Sequence, residues 1–186
     1  RGYRTAGIFQ NQKQVEDYSE KITMTVAPKP GDPIIVDIDG DGTISNSDHT
    51  YIGSPHPKLV YGATVKMAWK GFDIIAVAQG QQGNDVLMGF IRVDRPTGNR
   101  PEFFFRDRWT GEGSTNKWFA PNTKSEFVYN SDLMLADGSY IRIRQLQLGY
   151  TLPQHLLKRI RFRNARVYGS LDNFFTLTRY KGMDPA

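Results

Sequence analysis

Four carboxylates, Asp37, Asp39, Asp41 and Asp48, hold the first, third, fifth and twelfth places of the stretch DIDGDGTISNSD. Alternate residues of a tight loop can aim their oxygens at one point, and calcium, a hard cation, takes about six to eight oxygen ligands at about 2.3 to 2.6 Å. Gly42 stands at the sixth place, where the chain must turn sharply, Thr43 can offer its backbone carbonyl from the seventh, and Ser45 can hold a water from the ninth. The spacing predicts one calcium ion bound by Asp37, Asp39, Asp41, the Thr43 carbonyl and Asp48. Magnesium would demand a small octahedral cage and retain several waters, and zinc would want the Cys or His ligands that are missing here. The expected role is structural, because crowded carboxylates repel one another until a cation neutralises them. The bland alternative is a solvated acidic turn. Spacing, glycine and closing carboxylate together favour the metal.

The surrounding elements set this loop apart from an EF-hand, which lies between two helices and usually closes with Glu. Ile34, Ile35 and Val36 are β-branched and read as extended. A calcium clip in a strand-and-loop region is therefore expected, ordering the chain that leads into a strand near Lys58. From there LVYGATVKMAWK alternates, with Leu59, Tyr61, Ala63, Val65, Met67 and Trp69 on one face and Gly62, Thr64, Lys66 and Lys70 on the other. Lys70-Gly71 reads as a tight turn, and FDIIAVAQGQ returns antiparallel.

A second hairpin follows in SYIRIRQLQLGYTLP and ARVYGSLDNFFTLT. Leu146, Leu148, Tyr150 and Leu152 share one phase, whereas Ile141 and Ile143 have the opposite one, so a bulge or a change of environment is expected near Arg144. Pro153 suits the start of a short helical turn over QHLLKRI. Residues 82 to 138 lack periodicity. Glycines and prolines interrupt them, and their aromatic residues Phe103, Phe104, Phe105, Trp109, Trp118 and Phe119 can stack on sugar rings or pack the loop, packing being the expected role. The segmentation is thus 1–57, a loop region with an early strand and the calcium-type loop at 37–48; 58–81, a hairpin; 82–138, a long loop of extracellular type; and 139–186, a hairpin with a following loop.

Composition bounds the function. The chain has 186 residues, 39% hydrophobic and 12% aromatic, which argues against disorder. It has no cysteine, so disulfides and thiolate sites are excluded. The net charge is +5, with a basic run at Lys158, Arg159, Arg161, Arg163 and Arg166 that suits solvated or rim charges better than a nucleic-acid stripe. No stretch approaches the length of a spanning helix, and RGYRTAGIFQ has no signal-peptide pattern. A membrane β-barrel stays open, because alternating strands have low average hydropathy. The short turn at one end of a hairpin, the long loop at the other and strands of about ten residues all suit such a barrel. Trp69 and Phe72 then flank a periplasmic turn. Tyr61, Val65, Met67, Ile74, Leu146, Leu148 and Tyr150 are expected to face lipid, and Lys66, Gln79, Gln145 and Gln147 a wet lumen.

Four ordered segments carry a resemblance: the calcium-type loop with IGSPHPKLVYG after it, DRWTGEGSTN, YIRIRQLQLGYTLP and NFFTLTRYKGMDP. In that order the chain, from about Gly7 to Ala186, resembles the C-terminal part of the SusC/RagA class of TonB-dependent outer-membrane transporters. The resemblance implies an all-β fold, with antiparallel strands forming part of a large transmembrane barrel with long extracellular loops. It implies a segment of a glycan or peptide importer without its N-terminal extension, TonB box, plug and final strand. The expected partners are the rest of the barrel and plug, a SusD-like surface lipoprotein, TonB, the substrate and outer-membrane lipid, with no nucleic acid.

The alternative reading is a calcium-dependent surface module, since DIDGDGTISNSD also resembles half of a dockerin repeat, but no second copy occurs. An enzyme is not expected. His49, His56 and His155 have no paired-ligand spacing, no GxSxG or phosphate-loop pattern is present, and no catalytic residue is assigned. The sequence assigns no substrate-binding residue either.

Overall fold

A computed structural model of the chain describes residues 1–89, 91, 98–121, 123, 126–158, 162–182 and 184. The elements in chain order are β1 (Thr5–Ile8), α1 (Gln12–Ser19), β2 (Pro33–Ile35), β3 (Leu59–Trp69), β4 (Phe72–Gln82), β5 (Asp85–Leu87), α2 (Glu102–Asp107), β6 (Leu135–Asp137), β7 (Tyr140–Thr151), α3 (Gln154–Leu157) and β8 (Arg166–Thr178). They fall into two compact units, Arg1–Ser54 with Leu87–Ala136, and Pro55–Val86 with Asp137–Ala186.

The second unit is a single antiparallel sheet in the order β3-β4-β7-β8. Lys70 and Gly71 join β3 to β4 with φ of 46° and 89°, the positive values that a two-residue turn needs to match the twist of its strands. Cross-strand pairs share a face, so the register assigns every side chain. Trp69, Phe72, Tyr150 and Val167 form one row, Met67, Ile74, Leu148 and Gly169 the next, and Val65, Ala76, Leu146 and Leu171 a third. The intervening rows carry Lys66, Ile75, Gln147 and Ser170, and Thr64, Val77, Gln145 and Asp172. All seven residues expected to face lipid lie on the apolar face, and the four expected to face a lumen lie on the other.

The phase change near Arg144 has a specific outcome. Val77 pairs with Gln145 but Ala78 pairs with Ile143, leaving Arg144 as the extra residue of a bulge. One added residue reverses the alternation, so Ile141 and Ile143 return to the apolar face beside Gly80 and Ala78. The neighbouring strand answers with its own irregularity: Gln145 pairs with Asp172 and Ile143 with Phe175, and between them Asn173 adopts φ of 51°. The bulge keeps one face apolar along its whole length.

That face is uncovered. Met67 is 64% exposed, Trp69 70%, Leu148 57% and Leu177 62%. Among the described residues of this unit the hydrophobic side chain buried to core level is Leu157 of α3.

The first unit has a core of Tyr3, Ile35, Ile44 and Phe127, with Ile22 and Met24 against it. Its two chain segments are stitched by backbone pairs, Tyr3 N–H to Asn130 O at 2.7 Å, Asp132 N–H to Tyr3 O at 3.1 Å and Ala120 N–H to Gly31 O at 2.8 Å. The sequence segmentation treats 1–57 and 82–138 as separate loop regions. In the structure most of both fold together, because their hydrophobic residues meet only across long sequence separations that leave no periodic trace. Phe104 and Phe119 are fully buried, with ring centroids 5.3 Å apart, and Trp118 lies 5.8 Å from Phe104. The aromatic cluster packs the unit, although Phe105 remains 44% exposed.

Candidate functional site

The acidic loop leaves β2 after Ile35 and ends in a single 3-10 turn at Asn46–Asp48. Ser45 caps that turn: its side chain accepts from the Ser47 amide, and the Asp48 carboxylate accepts from the Ser45 amide at 2.8 Å. The other oxygen of Asp48 accepts from the Ile38 amide at 2.7 Å, so one fully buried carboxylate ties the end of the loop to its start. Asp37 accepts from Gly40 N at 2.7 Å and from Gly42 N at 2.9 Å. Gly40 and Gly42 take φ of 77° and 79°, the left-handed turn anticipated at the sixth place.

Asp37, Asp39 and Asp48 each bring a carboxylate oxygen within 4.8 Å of the others. A calcium ion at about 2.4 Å from each ligand tolerates oxygen separations up to about 5 Å, so this spread is compatible with one shared ion. Asp41 stands outside the group, with its Oδ1 accepting from the Thr43 amide at 2.7 Å. Thr43 is bridged to Thr23 through the Gly42 carbonyl and the Ile44 amide, at 2.8 and 2.9 Å, a pairing that does not use the Thr43 carbonyl.

Electrostatics separate the carboxylates. The Gly42 and Gly40 amides hold the Asp37 carboxyl below the usual carboxylate range. The Asp41 amide also draws Asp39 down, but desolvation and repulsion from Asp41, Asp48 and Asp37 prevail, and its pKa is raised. Tyr18, on α1, reports the same field. Burial first, then the charges of Asp37 and Asp48, push its phenol up to about 12, and its hydroxyl donates to Ile35 O at 2.8 Å. Sequence reading missed Tyr18. The signal available was Asn11, whose side chain caps α1 by accepting from Gln14 N at 3.0 Å.

Other sequence candidates take ordinary roles. The His49 ring stands 4.3 Å from Tyr3, edge to face. Of the basic run, Arg159 and Arg161 lie outside the described residues, Lys158 ends α3, and the Arg166 guanidinium binds Asp73. On the polar face of the sheet Arg144 donates to Gln79 Oε1 at 3.1 Å.

No family model matches the chain. TonB-dependent receptor P3 of Formosa agariphila is 28% identical over 198 residues, covering 99% of this chain and 18% of the receptor. TonB-dependent receptor SusC of Bacteroides thetaiotaomicron is 27% identical over 159 residues, covering 84% of this chain and 16% of SusC. The chain thus spans under a fifth of the length of these relatives. Among solved structures, the RagAB peptide importer in its open-open state matches with a TM-score of 0.68 and 20% identity, over 99% of this chain and 19% of that one. A further structure of the RagAB peptide transporter matches with a TM-score of 0.60 and 25% identity, over 77% of this chain and 16% of that one. The dockerin alternative finds no counterpart among these matches. Along nearly its whole length the chain is similar to TonB-dependent receptors, outer-membrane proteins that include SusC, and its fold matches a stretch of RagAB.

Proposed function

We propose that this chain forms part of the wall of an outer-membrane importer that takes up a glycan or a peptide, with energy relayed by TonB and capture aided by a surface lipoprotein. The observation that carries this reading is the uncovered apolar face that runs across all four strands of one sheet, backed by a polar face. In water, a one-layer sheet of this kind would leave Met67, Trp69, Leu148 and Leu177 solvated. Against lipid it is stable, and the polar face then lines a wet lumen. Strand edges do not remain unpaired in a bilayer, so β3 and β8 would pair onward with further strands of the receptor. The role is transport, with no bond-making step assigned to any residue.

RagAB is a peptide importer and the resemblance also allows a glycan, so uptake decides between the two classes. Cells carrying the intact receptor should accumulate a labelled oligosaccharide or a labelled oligopeptide in a TonB-dependent way. Failure to import either class, with the receptor folded in the membrane, would contradict the proposal.

The acidic loop is assigned a calcium ion, held by Asp37, Asp39 and Asp48, with the Thr43 carbonyl available as a further ligand and Asp41 acting through the loop backbone. The donor set is all oxygen, which suits calcium. A bound ion would offset the repulsion that raises Asp39 and would fix the loop on which Ile35 and Ile44 meet in the core.

A further inference from the structure

Asp73 on β4 and Arg166 on β8 are not neighbours in the sheet, because β7 runs between them. Strands two places apart are separated by about 9 to 10 Å. Even so, Arg166 Nε donates to Asp73 Oδ1 at 2.9 Å and its Nη2 to Oδ2 at 2.5 Å, a two-pronged ion pair that crosses the intervening strand. The residue beneath the crossing is Gly149, which pairs with Asp73 on one side and Tyr168 on the other. A Cβ placed on Gly149 would lie 2.5 Å from Arg166 Nη2 and 2.6 and 2.7 Å from the two Asp73 oxygens, closer than real side-chain atoms approach. Arg166 is steadied from its own strand, its guanidinium carbon lying 5.1 Å from the centre of the Tyr168 ring.

From this arrangement we propose that Asp73, Arg166 and Gly149 form a strand-skipping strap: Gly149 is the window through which the ion pair passes, and the strap fixes the mutual register of β4, β7 and β8 next to the Lys70-Gly71 turn. The chemistry explains each residue type. Arginine is long enough to span two inter-strand gaps and presents two parallel donors, which lysine cannot do. A carboxylate is the acceptor that takes both. Glycine at 149 is required by close approach and not by its own backbone, since it is absent from the positive-φ residues. Register matters because a slip by one residue would move the whole apolar face of a strand to the polar side. The strap is a property of the sheet, and it stands whether or not the polar face lines a transport lumen.

The contrast with Gly169 provides the test. A Cβ on that glycine meets nothing within 4 Å. In the full-length receptor, the temperature at which the folded barrel converts to the unfolded form is measured on semi-native gels for Gly149→Ala and Gly169→Ala, each in the parent and in an Asp73→Ala, Arg166→Ala background. Gly149→Ala should lower the conversion temperature in the parent and leave it unchanged once the ion pair is gone. Gly169→Ala should have no effect in either. Arg166→Lys should lie between the parent and Arg166→Ala. If Gly149→Ala prevents assembly outright, restoration of assembly in the double-alanine background supports the strap. Equal effects of Gly149→Ala in both backgrounds, or no restoration, would overturn it.

Discussion

At the scale of single residues, the acidic loop divides labour among carboxylates that look alike in the sequence. Asp48 is the structural one. Its removal strands the Ile38 and Ser45 amides, so Asp48→Ala should destabilise the first unit by about 1–3 kcal/mol, visible as faster amide exchange at Ile44 and Thr50. Asp39 is exposed and repelled by its neighbours, the position at which a cation gains most. Calorimetry should therefore find calcium affinity reduced about tenfold or more by Asp39→Ala and less by Asp41→Ala, whose side chain stands outside the three-carboxylate group. Calcium heat that is absent, or unchanged in Asp39→Ala, would count against the ion. Tyr18 gives an alkaline signature. Folding raises its pKa from 10.0 to about 12, so the stability linked to its neutral form is complete below pH 10 and is lost as the pH climbs through about 12. The phenolate absorbance difference between parent and Tyr18→Phe receptors should rise near 12, and at a lower pH when calcium neutralises Asp37 and Asp48.

At the scale of elements, the sheet was legible and the other unit was not. Leu59 to Trp69 and its returning strand announce themselves because each alternates over about ten residues, and the hairpin turn is fixed by Lys70-Gly71. The reversed phase of Ile141 and Ile143 even marked the bulge at Arg144. By contrast, nothing local indicates that Tyr3 packs on Phe127, since those residues belong to irregular segments joined only in three dimensions. The acidic loop lies between these cases: spacing singled out its carboxylates as candidate ligands, but only the backbone hydrogen bonds separate Asp48 from Asp41. Three changes test the element-level account. Gly71 at φ 89° should not tolerate a side chain, and Gly71→Ala is expected to cost about 1 kcal/mol, whereas Lys70→Asn should be neutral or stabilising, both read from the urea midpoint of the refolded receptor. Deleting Arg144 should be tolerated, because Ile143 then directly precedes Gln145 and regular alternation keeps Ile141 and Ile143 on the apolar face. Retention of the folded band on semi-native gels is the expected result, and loss of that band would argue that the bulge does more than maintain facial continuity.

At the scale of the whole molecule, the account rests on which solvent each face of the sheet meets. An apolar face of this extent has no protein covering it among the described residues, and under the proposed function it meets a bilayer. The direct measurement places single nitroxide labels at Met67, Leu148, Gln145 and Gln147 of the full-length receptor in outer-membrane lipid and compares quenching by oxygen, which concentrates in the bilayer, with quenching by a water-soluble nickel chelate. Labels at Met67 and Leu148 should respond to oxygen and resist the chelate, and those at Gln145 and Gln147 should do the reverse. Equal responses at the two pairs, or a reversed pattern, would contradict the barrel-wall assignment.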